Sequence, residues 1–287
     1  MDILKWTALA LILITILYGG VLAIGAWRWK EATRELVARL DAAAEIANGA
    51  VRYDAREIAD LPAPVRRYFE RVLTDGQPMI RSVDIGLEGT FNMSLEAPQW
   101  KPFTSTQHVV ANRPGFIWNG RIAMFPGVPV RVHDAYVAGT GVLKPALFGL
   151  FSLGTVQGEG DIARGELMRW LAESVWYPTV LLPGQGVTWQ SVDDASAQAT
   201  LTEGPITLTM LFRFGEDGLV SGIRVEARGG LVGGETVMMP WEGRFRDYRL
   251  QDEMMVPFHG EVAWITPQGE RPYFQGTLTQ IVHGFAQ

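Results

Sequence analysis

The sequence predicts a mainly β protein with helices, of the α+β class. The expected form is a curved antiparallel sheet or half-barrel of about ten strands with one inserted helix, preceded by an N-terminal transmembrane helix. Three observations predict it. An uncharged apolar run opens the chain, a period of two dominates after residue 80, and one internal segment, Asp161 to Trp176, returns to a helical period.

Trp6 to Trp27 holds no charged residue. Its central stretch, Thr7 to Ala26, is about 20 residues, and at about 1.5 Å per residue such a helix spans the roughly 30 Å of a bilayer's hydrocarbon core. Ten of those residues are Leu, Ile or Val. Together they favour insertion by roughly 3–6 kcal/mol, with no charge to offset them. Trp6, Trp27 and Trp29 stand at the ends, where indole rings favour the membrane interface. A secretory signal peptide has a shorter apolar core of about 7–15 residues, although Ala23 and Gly25 resemble the small residues of a cleavage site. Residues 1–29 therefore read as a transmembrane anchor. Only Lys5 and the amino terminus flank its start, whereas Arg28, Lys30, Arg34 and Arg39 follow it. The positive-inside bias taken alone places the C-terminal part in the cytoplasm.

Residues 30–80 read as a helical linker and a packing helix. Leu36, Val37, Leu40, Ala43, Ala44 and Ala47 recur at helical spacing, and Asn48-Gly49 offers a stop. A second helix starts at Pro62 and Pro64, where a missing N–H costs nothing. Val65, Tyr68, Phe69, Val72 and Leu73 make its apolar stripe, and Asp75-Gly76 ends it.

Residues 81–287 read as the antiparallel β part. Val83, Ile85, Leu87, Gly89, Phe91 and Met93 alternate with polar neighbours, as in a strand with one buried face. Further strands are predicted at 103–110, 115–124, 128–137, 187–191, 197–202, 206–214, 219–227, 236–249, 256–266 and 273–282. The loops between most of them are too short for parallel crossovers, so the sheet should be an antiparallel meander. Helix 161–176 interrupts it, with Leu167, Trp170, Leu171, Ser174 and Val175 as its apolar face and Pro178 as stopper. Val142–Leu153 is apolar and open to three readings: strand, short helix or tucked loop. Gly229-Gly230 and Gly233-Gly234 read as a flexible hairpin connection.

A net charge of −6 gives nucleic-acid binding no support. The absence of cysteine removes disulfides, thiolate metal sites, iron–sulfur clusters and a cysteine nucleophile together. The four histidines, His108, His133, His259 and His283, fall in no metal-ligand spacing. No metal or cofactor is expected. The serines offer neither a G-x-S-x-G elbow nor an S-x-x-K pair.

Three stretches, LPAPVRRYF at Leu61–Phe69, PGFIW at Pro114–Trp118 and GELMRWLAESVWYPTVLLP at Gly165–Pro183, together resemble a bacterial family of unknown function. Its members carry an N-terminal membrane helix before a domain of this length. The resemblance covers most of Leu61–Val282 and implies an exported, envelope-facing domain. It therefore places the chain in the inner membrane with a periplasmic C-terminal part, against the charge count. At the level of fold the predicted architecture also looks like the carriers of envelope lipoproteins.

Two groups of residues are candidates for function. Glu166, Arg169 and Glu173 share the inserted helix at i,i+3 and i,i+4 spacings, beside Trp170, Trp176 and Tyr177. A carboxylate among such rings can act as a general acid, and the plainer reading is a charge cluster that holds the helix to the sheet. Phe116, Trp118, Ile122 and Met124 share one strand face, and Leu208, Met210, Phe212 and Phe214 another. Such faces close a core, or they line an apolar cavity. The expectation is a non-catalytic, membrane-tethered envelope protein binding an apolar ligand such as a lipid or lipidated peptide, through Trp118, Met124, Trp170, Trp176, Tyr177 and Met210. The alternatives are a structural or partner-binding envelope protein and a hydrolase using a carboxylate of the 161–176 helix.

Overall fold

The computed structural model describes residues 2–44, 50–232 and 235–286. Helix α1, Asp2–Ala43, is one unbroken element of 42 residues. The predicted anchor and the predicted linker helix are fused, because neither a proline nor a turn signal lies between them. The expected stop at Asn48-Gly49 lies outside the described residues, as does Gly233-Gly234. An 18-residue window of α1 has a mean hydropathy of 2.4 and is 6% buried, long and apolar enough to cross a membrane. Helix α2, Ala63–Val72, begins behind Pro62 and buries Val65, Tyr68, Phe69 and Val72. It ends at Leu73, ahead of the expected Asp75-Gly76.

The strands form one antiparallel sheet. Its strands are β1 (Ile80–Asn92), β2 (Trp100–Val110), β3 (Gly115–Phe125), β4 (Val128–Val137), β5 (Thr140–Leu147), β6 (Phe151–Ser152), β7 (Val156–Gly158), β8 (Thr188–Asp193), β9 (Ser196–Glu203), β10 (Ile206–Phe214), β11 (Val220–Val232), β12 (Glu235–Gln251), β13 (Met254–Thr266) and β14 (Gly269–Phe285). The ambiguous 142–153 segment is therefore strand, turn and a second short strand. The pairing order runs β6-β5-β4-β3-β2-β1-β14-β13-β12-β11-β10-β9-β8, with β7 beside β5. Along that order the one pair not consecutive in sequence is the last strand with the first, from Ile80↔Phe285 to Phe91↔Phe274. The ends of that order, β6 and β8, do not meet, so the sheet is curved and unclosed.

The inserted helix, α3, runs Asp161–Ala172 and tightens into a 3₁₀ turn at Glu173–Trp176. Two more 3₁₀ turns follow, Pro178–Leu181 and Pro183–Gln185. Each begins at a proline, whose ring and missing N–H prevent an α ladder from continuing. These elements and α2 bury the inner face of the sheet in one core that includes Phe116, Trp118, Trp170, Trp176, Tyr177 and Phe212.

The opposite face of β2–β5 carries the second half of α1. Leu40 packs there in a separate cluster with Val110, Ile117, Ala135, Val137 and Val142. Trp29 stacks on His133, ring centroids 3.9 Å apart, and its Nε1 donates to Asn119 at 2.8 Å. Thr33 Oγ1 meets His133 Nε2 at 2.8 Å. Burial, with Lys144 and Arg131 nearby, pushes His133 down to about 4. The unfolded imidazole takes up a proton near its ordinary pKa of about 6.5, while the folded one resists. Stability should be full above that pH and should fall by up to about 3 kcal/mol between it and the folded pKa. Urea midpoints across pH should show this slope in the native protein and lose it in His133→Gln.

Candidate functional site

Alternation along β2 and β4 turns Gln107 and Asp134 inward, onto the face that α3 covers. One turn of α3 brings Arg169 and Glu173 to meet them. Arg169 Nε donates to Glu173 Oε1 at 2.7 Å, Nη1 to Asp134 Oδ2 at 2.6 Å and Nη2 to Gln107 Oε1 at 3.0 Å. Gln107 in turn donates to Glu173 Oε2 at 2.6 Å. The guanidinium lies 4.9 Å from the Phe116 ring centre and 5.4 Å from that of Trp118. Burial alone would lower the Arg169 pKa, but Glu173 and Asp134 outweigh it and hold the group charged.

Glu166 does not pair with Arg169 as its spacing suggested. It faces Asp134 and Arg228, whose Nη2 stands 3.9 Å from Glu166 Oε1. Burial, then the neighbouring Asp134 carboxylate, raise its pKa well above the usual carboxylate range. Glu166 Oε2 and Asp134 Oδ1 have no donor, and the raised pKa favours the neutral carboxyl at Glu166, which offers Asp134 a donor.

Arg228 is aimed inward by a β-bulge between Val225 and Arg228. Its guanidinium lies 4.6 Å from the Trp241 ring centre and 5.7 Å from that of Trp264, and it donates to Tyr273 Oη at 3.2 Å. Its Nε has no partner, nor do Ser105 Oγ, Trp118 Nε1 or Tyr136 Oη, all buried.

From Arg228 an aromatic band crosses the inner face. Trp264 stacks on Tyr273 (5.7 Å), Tyr273 meets Phe91 (5.7 Å), Phe274 lies beside Phe103 (5.0 Å), and Phe103 meets Trp118 (5.9 Å). Glycine makes room for rings lying flat on the strands. The Trp118 indole occupies the place a Cβ would take on Gly120, and the Phe274 ring does the same at Gly276. Phe91, Tyr273, Phe274 and Met124 are only partly buried, so one end of the band reaches the surface.

The residues singled out from the sequence divide between two places. Trp118 and Met124 belong to this band. Trp170, Trp176 and Tyr177 are buried behind it with their polar atoms used: Trp170 donates to Val110 O at 3.2 Å, Trp176 to Pro257 O at 2.8 Å and Tyr177 to Trp170 O at 2.6 Å. Met210, fully buried on β10, lies in the same core. Gln107, Asp134 and Arg228 were missed. Gln107 and Asp134 carry a legible signal, since each is a polar residue at an inward position of an alternating strand. Arg228 carries none, because the bulge shifts the alternation. A groove of about 570 Å³ lies elsewhere, between α1 and the outer face, lined by Trp29, Thr33, Val37, Asn119 and Arg131 among others.

The architecture is thus an open, antiparallel half-barrel with a helix in its concavity and an apolar helix ahead of it. The chain belongs to DUF6920, a family of unknown function, whose model matches residues 59–283. No curated protein matches it in sequence. A LolA superfamily protein from Nitrosomonas europaea is similar in structure, with 10% identity and a TM-score of 0.39, over 76% of this chain and 90% of that one. A β-barrel-like protein of domain of unknown function DUF1849 from Brucella abortus is similar with 12% identity and a TM-score of 0.23, over 72% of this chain and 99% of that one.

Proposed function

We propose that this protein is a membrane-tethered binding protein of the cell envelope whose concave sheet face takes an apolar ligand, a lipid or a lipidated peptide. The aromatic band carries the reading: rings laid flat over Gly120 and Gly276 form a smooth apolar surface that reaches solvent at one end. In this reading Trp118 and Met124 touch the ligand, and Trp170, Trp176, Tyr177 and Met210 form the wall behind it. Glu166, Arg169 and Glu173 hold α3 against the sheet rather than perform chemistry. The exposed apolar half of α1 supplies the tether, and the head stands on the periplasmic side of the inner membrane, as the three family motifs imply. Native mass spectrometry of the detergent-solubilised full chain should reveal a bound species of lipid mass that is lost when Trp118 is replaced by Arg. Bare protein alone, after gentle extraction, would refute the reading.

A further inference from the structure

Resting on the tether proposed above, we infer that the β3–β4 and β5–β6 turns of the head insert into the acyl boundary of the bilayer that α1 crosses. The first argument is one of length. Ile3 to Gly19 is exposed throughout, and at about 1.5 Å per residue it reaches about 25 Å. A hydrocarbon core of roughly 30 Å needs a few residues more. The head meets the helix at the end of this stretch and just beyond it. The Tyr18 hydroxyl donates to the Gly127 carbonyl in the β3–β4 turn. The Tyr18 ring stands edge-on to Phe148 at 6.2 Å, and Gly25 packs so closely on the Phe148 carbonyl that no Cβ would fit. The lipid that covers the end of the span therefore meets both turns.

The second argument is what those turns display. Phe125 is 64% exposed, Phe151 58% and Leu153 56%, each within a few residues of one of these two turns. The backbone of the β5–β6 turn suits a poorly hydrated place, where each unmet polar group is costly. Phe148 N–H donates to Pro129 O, Gly149 to Ala146 O, Leu150 to Leu147 O and Leu153 to Pro145 O. The third argument is charge. Lys101 Nζ lies 4.9 Å from the Phe125 ring centre, and Arg121 and Arg131 face each other across β3 and β4. Although the whole chain is acidic, this end offers cations at the height of phosphate headgroups, with apolar tips beyond them. The occupant that fits is an anionic bilayer surface.

The absence of native cysteine allows single nitroxide labels in the full chain. Ile12→Cys, Phe125→Cys, Phe151→Cys and Leu250→Cys are reconstituted in phosphatidylcholine–phosphatidylglycerol vesicles, and collisions with oxygen and with a water-soluble nickel chelate are compared. Leu250, 69% exposed, lies by the β12–β13 hairpin near Gln77, at the other end of β1 from the β1–β2 hairpin, and serves as the aqueous reference. Labels at 12, 125 and 151 should favour oxygen several-fold over the label at 250, with 12 the deepest. Labels at 125 and 151 as nickel-accessible as that at 250, with 12 in lipid, would overturn the insertion and leave the tether standing. A nickel-accessible label at 12 would overturn both.

Discussion

Replacing Arg169 by leucine should destabilise the head by about 3–5 kcal/mol, the usual cost of removing one partner from a buried ion pair. Arg169 is the only cation bonded to Asp134 and Glu173 among the described residues, and its side chain is 13% exposed. Without it Asp134 and Glu173 lose their cationic partner and Gln107 Oε1 loses its donor. Each carboxylate must then take up a proton or draw water into the core. Relative to the native protein, which shares the opposing His133 trend, the variant should therefore gain stability as pH falls toward the carboxylate range. Adding Asp134→Asn and Glu173→Gln removes the stranded charges and should recover a large part of the loss. Denaturant midpoints of the three proteins in detergent decide the matter. Equal midpoints for native and Arg169→Leu would mean that the cluster contributes nothing to holding α3.

How much of this was legible in the sequence depends on what covers each strand. Strands 128–137 and 206–214 were bounded as they occur, because hairpin turns flank them. Strand β5 was ambiguous for a physical reason: it is covered on both sides. Val142 lies under Leu40 of α1, Leu143 packs into the main core, and Gly141 leaves no room for a Cβ against Ile162 and Ala163 of α3. A strand buried on both faces loses its alternation. The site was legible to the same extent. Trp118 and Met124 announce themselves by a shared face on one strand. Phe91 and Phe274 do not, because their meeting depends on the last strand pairing with the first, a contact across nearly the whole β region. The docking of α1 was legible in part, in the Leu36, Val37, Leu40 and Ala44 stripe that packs on the sheet, whereas the close approach at Gly25 and the stacked Trp29–His133 pair leave no periodic trace.

That docking divides α1 into two halves with different jobs, and two truncations should separate them. Deleting residues 2–24 should release the protein from membranes without unfolding it. Among the described residues none before Tyr53 belongs to the main core, and the helix residues buried against the sheet, Trp29 and Leu40, are retained. Its denaturant midpoint should match that of the full chain, and flotation with anionic vesicles should keep only a weak, salt-sensitive association through the Phe125 and Phe151 turns. Deleting residues 2–44 should have a far larger effect. Loss of a buried leucine costs about 2–5 kcal/mol and of a buried tryptophan about 3–5 kcal/mol. Together these rival the roughly 5–15 kcal/mol that holds a typical domain folded. Val110, Ile117, Ala135, Val137 and Val142 would be uncovered at the same time as one patch that ends beside β7 at the sheet edge, and exposed patches and unpaired edges both promote aggregation. A soluble, monomeric 45–287 protein of native stability, as read by sedimentation and denaturation, would show that the second half of α1 is a mere extension of the anchor. Aggregation of that protein alone, with 25–287 well behaved, would show that the head includes the lower half of the helix that tethers it.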